Sequence, residues 1–376
     1  MALGEDSGAR PATITDVARA AGVSIATVSR AIRQPDIVSE RTRRRVLAAV
    51  SEVGYMHNPA ARALATGRNE LLGLTVPSLT NPFLTPIVSG AQQAAEENGY
   101  DLVIIVDAAD PERQATLMAR LRGRVAGLVA VAPRGRSGLL SQQARAQPVA
   151  TVNRKVPGVS SVVIDTNEGL RALGRHLTGL GHRRIAYVGG PEGSRTDRDR
   201  LGALEEVVHE AEGEVAALPI TEPTFAAGTV SADGVARSGC SAVIVYNSVV
   251  TVGLVHQLRA MGIGMPEDLS VACADDLTDA GLSFPHLTAL HIPAHEAGRR
   301  AASMVLERLE LRSPSAGPQR AEHALLPVEL LPGTSTARAA DAAGQAGDAA
   351  GPAAAGQPAA PRILTTSASE VWEKSS

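Results

Sequence analysis

The front of the chain and its middle follow different hydrophobic rules. Residues 13–54 carry apolar positions at helical spacing in three short runs. Thr15 is placed to cap a first helix through Ala21, with Val17 and Ala18 inward and Gly22 as a left-handed stop. Ser24 caps a second helix over 25–32, whose inward side is Val28, Ala31 and Ile32, while Ile25, Ala26 and Arg30 lie toward its exposed start and middle. Ser39 caps a third helix through Val53, with Val46, Leu47 and Val50 at helical spacing and Gly54 at its end. Two short helices joined by a tight turn and braced by a third make a helix-turn-helix. Residues 55–68, YMHNPAARALATGR, place Asn58 as a cap, Pro59 at the first helical position and Gly67 as terminator. A helix of about seven residues is unstable alone in water, so this linker is expected to fold only against something else.

From Leu71 onward the pattern changes to apolar runs separated by helical stretches. LLGLTV, DLVIIV, GLVAVA, PVATV, SSVVI, RIAYVGG, SAVIVY and LSVACA read as buried strands. Alternation of this kind predicts parallel sheets wrapped by helices, and there is enough of it for two such units. Ligands in that architecture bind beyond the carboxyl ends of strands, so the residues after each run are the ones to inspect. From Thr334 the chain turns to ARAADAAGQAGDAAGPAAAGQPAAPR, which has no large apolar residues to bury and is expected to be disordered. It holds no heptad of leucines for an assembly zipper.

Composition narrows the classes. At 376 residues, 44% hydrophobic and 20% charged, the chain fits about two ordinary domains and an appendage. No apolar run approaches the roughly 20 residues of a membrane span, and the leader MALGEDSGAR lacks a secretory pattern, so a cytoplasmic protein is expected. Cys240 and Cys273 are the only cysteines, which excludes a disulfide framework or a cysteine zinc site. The net charge of −3 conceals an asymmetry: residues 10–68 hold ten arginines against Asp16, Asp36, Glu40 and Glu52, a surplus of six, leaving −9 elsewhere. A basic front module points to a polyanion. The alternative is a solvated arginine-rich helix face, and the run Arg41, Arg43, Arg44 and Arg45 favours the polyanion.

The string TITDVARAAGVSIATVSRAI, then VSERTRRRVLAAVSEVGYMHNPAARAL and LLGLTVPSLTNPF, closely resembles the lactose/galactose repressor (LacI/GalR) family of bacterial transcription factors. The likeness continues through LGHRRIAYVGGPEG, MPEDLSVACADD and PHLTAL, covering about residues 13–333. It implies an α/β protein with an all-α helix-turn-helix headpiece (13–57) behind a disordered leader (1–12), and a hinge helix (58–68). The core (69–333) is then two doubly wound parallel-sheet subdomains like periplasmic binding proteins, one of about 69–163 plus 293–318 and one of about 164–290 plus 321–333, followed by the tail (334–376). It also implies a homodimer on palindromic operator DNA, with no membrane partner and no cofactor.

By the same resemblance the second helix enters the major groove. Ile25 and Ala26 can read only shape and thymine methyls, while Arg30 is the expected bidentate reader of guanine, with a phosphate contact as its alternative. Thr15, Ser24, Thr27 and Ser29 look like cap or phosphate contacts that set register. In the hinge, Asn58, Ala63 and Leu64 take family places, and Leu64 matches the leucine that wedges between base pairs. The effector pocket should be lined by Phe83, Leu84, Asn153, Thr196, Arg200, Asn247 and Asp275, all of which follow strands. Arg200 and Asp275 are expected to clamp vicinal hydroxyls of a sugar, with a structural ion pair as the alternative; Asp276 reads as a cap. The sequence departs from the family pattern at Asn153, where aspartate is frequent, at Ser248, where an aspartate usually follows Asn247, and at Ala274, which replaces an aromatic. Aromatic stacking on a sugar ring is poorly supplied, and a purine is the alternative effector.

Catalytic motifs are missing. Neither Lys155 nor Lys374 follows a glycine, so there is no phosphate-binding loop, and GGPEG at 189–193 lacks GxGxxG spacing. No GxSxG elbow or HExxH occurs, and Pro293 separates His291 from His295, so no metal pair is expected. A transporter solute-binding protein would share the core fold but not the basic headpiece.

Overall fold

The computed structural model describes residues 12–33, 37–55, 69–79, 81–107, 111–191, 194–275, 287–311 and 320–340. Three helices come first: α1 (Ile14–Ala21), α2 (Ile25–Arg33) and α3 (Glu40–Glu52). Gly22 adopts φ 58° and turns the chain between α1 and α2. Ser24 Oγ accepts the Thr27 N–H at 3.1 Å and Ser39 Oγ the Thr42 N–H at 3.4 Å, as their cap positions require. The first cap differs from expectation. Helix α1 begins at Ile14, and the Asp16 carboxylate accepts both the Thr13 N–H at 2.9 Å and the Thr13 hydroxyl at 2.6 Å. The acid three residues on selects Thr13, which leaves Thr15 exposed inside the first turn.

Val17, Ala18, Ala21, Val28, Ala31, Val46 and Ala49 form the core of this bundle. Leu47, grouped with Val46 and Val50 by helical spacing, is 46% exposed. At 3.6 residues per turn Val46, Ala49, Val50 and Val53 share one side of α3 and Leu47 faces away from it.

Then follow β1 (Leu71–Val76), α4 (Leu84–Glu97), β2 (Asp101–Val106), α5 (Pro111–Leu121), β3 (Gly127–Val131), α6 (Ser137–Ala146), β4 (Val149–Val152) and β5 (Ser160–Ile164). Next are α7 (Thr166–Gly179), β6 (Arg184–Pro191), α8 (Arg195–Glu210), β7 (Glu214–Ile220), α9 (Phe225–Arg237), β8 (Ala242–Val245) and α10 (Ser248–Ala260). The last are β9 (Ser270–Cys273), β10 (Thr288–His291), α11 (Ala294–Glu310), β11 (His323–Leu326) and β12 (Glu329–Leu331). All eight expected strands form, but β2, expected to be buried, is a largely exposed strand at the edge of its sheet. The sheets are ordered β11-β5-β4-β3-β1-β2 and β12-β10-β9-β8-β6-β7, each with six strands. Central strands such as β3 and β8 are buried throughout, as helices on both faces demand.

The described residues divide into two compact units. One holds the chain up to Thr166 and His291–Glu329, the other Asn167–Asp275, residues 287–290 and the chain from Leu330. Strand β11 pairs with β5 from His323↔Ser161 to Leu326↔Ile164, which corrects the assignment of residues 321–333 wholly to the second subdomain. Pro327 interrupts the run ALLPVELL and parts it between the two sheets.

Order also continues past 333, against expectation. The Val271 N–H donates to Ser335 O at 2.8 Å, Ser335 Oγ donates to Val271 O at 2.6 Å, and the Ala339 N–H donates to Leu180 O at 2.9 Å. Backbone and hydroxyl bonds hold this segment, a signal that composition does not carry. His182 joins it: Nε2 donates to Ala337 O at 3.0 Å and Nδ1 accepts from Ser241 Oγ at 2.8 Å. Burial lowers the His182 and His176 pKa values below the ordinary 6.5, so unfolded chain takes up protons first as pH falls. Their contribution to stability is present above pH 6.5 and is lost as pH falls through the lowered folded values. In urea titrations between pH 7 and 5, His182→Gln is expected to lose less of its midpoint than the wild type; an unchanged slope contradicts this.

Among the described residues no helix is long and apolar enough to cross a membrane.

Candidate functional site

Helix α2 packs Val28 and Ala31 inward and turns Ser24, Ile25, Ala26 and Arg30 outward, with Thr27 and Ser29 half-buried. Ala26 and Arg30 are one turn apart, so they share a face with Ile25 at its start. On α3, Glu40 binds Arg44 at 2.9 Å and Arg43 at 3.5 Å, and the Arg44 hydrogen bond chiefly holds its carboxyl below the usual range. Among the described residues Arg41 and Arg45 have no such carboxylate partner, so the face keeps an uncompensated positive charge. Asn58, Ala63 and Leu64 lie outside the described residues.

Of the seven expected ligand residues, Phe83, Leu84 and Asn153 lie in the first unit. Leu84 is buried in the first turn of α4 and Phe83 is half-buried before it. Asn153 ends β4 at φ 58°, and its Oδ1 accepts the Ile164 N–H at 3.1 Å, bracing the ends of β4 and β5. Asp107, buried at the end of β2, accepts from Gln114 Nε2 and was not foreseen.

The other four lie in the second unit around the carboxyl ends of β6, β8 and β9. Thr196 is exposed on α8. Arg200, one turn further, is 7% exposed; its Nε has no acceptor in the protein and its guanidinium carbon stands 5.4 Å from the Tyr246 ring centroid. Asn247 caps α10, its Oδ1 accepting the Val250 N–H at 3.0 Å. Asp275 Oδ1 accepts the Ser248 N–H at 2.6 Å and the Cys273 thiol at 3.3 Å. Burial pushes its carboxyl up to about 6, opposed by those hydrogen bonds and by the charge of Arg200. Arg200 and Asp275 form no ion pair within 4.0 Å, which removes the structural salt bridge held open above. Cys273, fully buried, stays a thiol because burial raises its pKa well above the ordinary value.

Three residues here escaped sequence reasoning. Asp197 Oδ1 accepts the Tyr187 hydroxyl at 2.8 Å and the Gly190 N–H at 2.7 Å, tying the first turn of α8 to the end of β6. Tyr246 supplies the aromatic face the composition had discounted. A Cβ on Gly190 would fall 2.5 Å from Tyr246 Cε2, so the second glycine of the GGPEG string makes room for that ring. The signal was present as the tyrosine that ends SAVIVY. Among the described residues no three His, Cys, Asp or Glu side chains gather as metal ligands.

Residues 13–58 match the family model for bacterial regulatory proteins of the lacI family, and residues 175–336 match that for a periplasmic binding protein-like domain. The ribose operon repressor of Bacillus subtilis (strain 168) is 31% identical over 301 residues, which cover 78% of this chain and 91% of that protein. This chain belongs to the LacI family. As a LacI-family protein it is a DNA-binding transcriptional regulator and not an enzyme. The transcriptional repressor CytR of Escherichia coli (strain K12) is 29% identical over 316 residues, 80% of this chain and 90% of that protein. A lac repressor dimer bound to operator and the anti-inducer ONPF has a TM-score of 0.72 at 26% identity, covering 87% of this chain and all (100%) of that one. The regulator CelR in complex with cellobiose has a TM-score of 0.61 at 27% identity, with coverage of 87% and 100%.

Proposed function

We propose that this LacI-family protein is a homodimeric repressor of carbohydrate-use genes, acting in the cytoplasm at the nucleoid, whose affinity for a palindromic operator is set by a sugar bound in the core. The observation that carries the DNA half is the outward face of α2, on which Ile25 and Ala26 offer methyl groups and Arg30 a guanidinium while Val28 and Ala31 anchor the helix. Thr15, Ser24, Thr27 and Ser29 set register on phosphates, and Asn58, Ala63 and Leu64 enter the minor groove, Leu64 as the wedge. On the preferred duplex, Arg30→Ala is expected to cost about 1–3 kcal/mol and to relax selection at one base pair per half-site. A uniform loss over all sequences would assign Arg30 to a phosphate instead.

The ligand half is supported by Arg200, Asn247 and Asp275 at the carboxyl ends of β6, β8 and β9 in the second unit, with Thr196 exposed one turn before Arg200 on α8. A buried guanidinium whose Nε has no acceptor and a buried carboxylate with no cation within 4.0 Å match a ligand that both donates and accepts, which vicinal hydroxyls do. The CelR–cellobiose complex and the ribose operon repressor support a sugar. The dimer is supported by the edge strand β2, where Val103, Ile104 and Val106 are 38%, 43% and 48% exposed. The test is a thermal-shift panel of pentoses, hexoses, disaccharides and purines. A sugar at a hundred times its Kd stabilises by about 2.7 kcal/mol, and Arg200→Ala is expected to abolish that shift. A shift with purines alone would replace the sugar reading.

A further inference from the structure

From Arg113 to Ile164 the chain has eight arginines and one lysine and no aspartate or glutamate. Four of these arginines lie at one end of the first sheet, just before β3 and β4 begin. Arg120 lies in the last turn of α5, Arg122 and Arg124 in the turn that leads into β3, and Arg145 in the last turn of α6 before β4. All four are exposed. Arg122 donates to Gln143 Oε1 at 3.2 Å, which ties the end of α5 to the end of α6. Gln143 and Gln147 at the same helix end each bury an Nε2 without an acceptor, so the edge has a surplus of donors.

Because β1, β3 and β4 run parallel, this edge is the amino end of β1, the first strand after the headpiece and linker in the sequence: Leu72 pairs with Gly127 and Leu128 with Val149. None of the four arginines lies within 4.0 Å of a carboxylate among the described residues. Arg171, Arg175, Arg184 and Arg237 of the second unit all do. Glu70, just before β1, and Asp101, the first residue of β2, stand at the same edge. Compensation of helix dipoles accounts for Arg120 and Arg145, but Arg122 and Arg124 lie beyond any helix.

We propose that this arginine edge is a second, sequence-independent DNA surface, which takes the phosphate backbone of duplex flanking the operator. It rests on the headpiece reading, since a linker fastened at this edge keeps flanking duplex at high local concentration. Arginine suits the task because its planar fork fits phosphate and it is always charged.

The test follows binding of the full chain to mixed-sequence duplexes of about 16 and about 60 base pairs over a salt series, since each neutralised phosphate adds about 0.9 to the slope of log affinity against log salt. The wild type is expected to show a slope steeper by about two to four on the longer duplex. The variant carrying Arg120→Gln, Arg122→Gln, Arg124→Gln and Arg145→Gln should lose that difference, while lysine at the same four positions should keep it. Equal wild-type slopes on both lengths overturn the proposal and leave the headpiece reading intact, with an acidic protein as the partner for this edge. A length effect that survives in the glutamine variant, or disappears in the lysine variant, also overturns it. Binding to neither duplex overturns both readings. Should the glutamine variant unfold, the wild-type and lysine measurements still decide.

Discussion

Gly298→Ala is expected to cost at least about 3 kcal/mol of stability, the upper end of what overpacking exacts. Helix propensity argues the opposite, since alanine is favoured over glycine in a helix by about 1 kcal/mol. Packing decides the sign. A Cβ on Gly298 of α11 would fall 1.9 Å from Ile87 O of α4, and one on Gly90 of α4 would fall 1.9 Å from His295 O of α11. The helices touch through their backbones, and neither carbonyl can move without breaking its own helix. The second unit repeats the device, with Gly228 of α9 at 2.1 Å from Val250 O and Gly253 of α10 at 2.0 Å from Phe225 O. The control is Gly202→Ala on the exposed side of α8, where nothing lies within 4 Å and a gain of about 0.5–1 kcal/mol is expected. Urea midpoints read both; a Gly298 variant as stable as the Gly202 variant would contradict the close contact.

Asp275→Asn is expected to stabilise the protein while weakening the ligand. The buried carboxyl has its pKa raised from 3.8 to about 6, so native protein holds the proton more tightly than unfolded chain does. The associated stability is present below pH 3.8 and is lost as pH rises through about 6. At pH 8 the charged group therefore costs up to about 3 kcal/mol, which the neutral amide removes. Asparagine keeps an oxygen for the Ser248 N–H. A bond to a charged acceptor is worth about 1.5–3 kcal/mol, so ligand affinity should fall about 10- to 100-fold. The difference in urea midpoint between variant and wild type should shrink from pH 8 toward pH 4. A variant less stable at pH 8, by an amount that does not vary with pH, would show that Asp275 is a structural carboxylate.

Where periodicity and burial coincide, the sequence was readable. Val17, Val28 and Val46 mark a three-helix core, and runs such as LLGLTV and SAVIVY can only be buried strands. What escaped depends on what each residue meets once the chain is folded. Thr13 and Thr15 are equivalent as caps until Asp16 is seen to reach one of them. Strand β7 sits at a sheet edge, where exposed positions break its apolar run. Ser335 and Ala337 carry no hydrophobic signal because hydrogen bonds hold them. Asp197 lies at a helix start like many other acids, and only the return of α8 beside β6 brings it to Tyr187. The arginine edge was legible as a stretch without acids, but the negative total of the core concealed it.

The central claim is that the outward face of α2 reads DNA in two copies. Selecting duplexes from a random-sequence library with the full chain tests it most directly. The account predicts enrichment of two inverted half-sites, with the preference lost at one base pair of each half-site in Arg30→Ala. Recovery of no common sequence, or of an asymmetric one indifferent to Arg30→Ala, would contradict it.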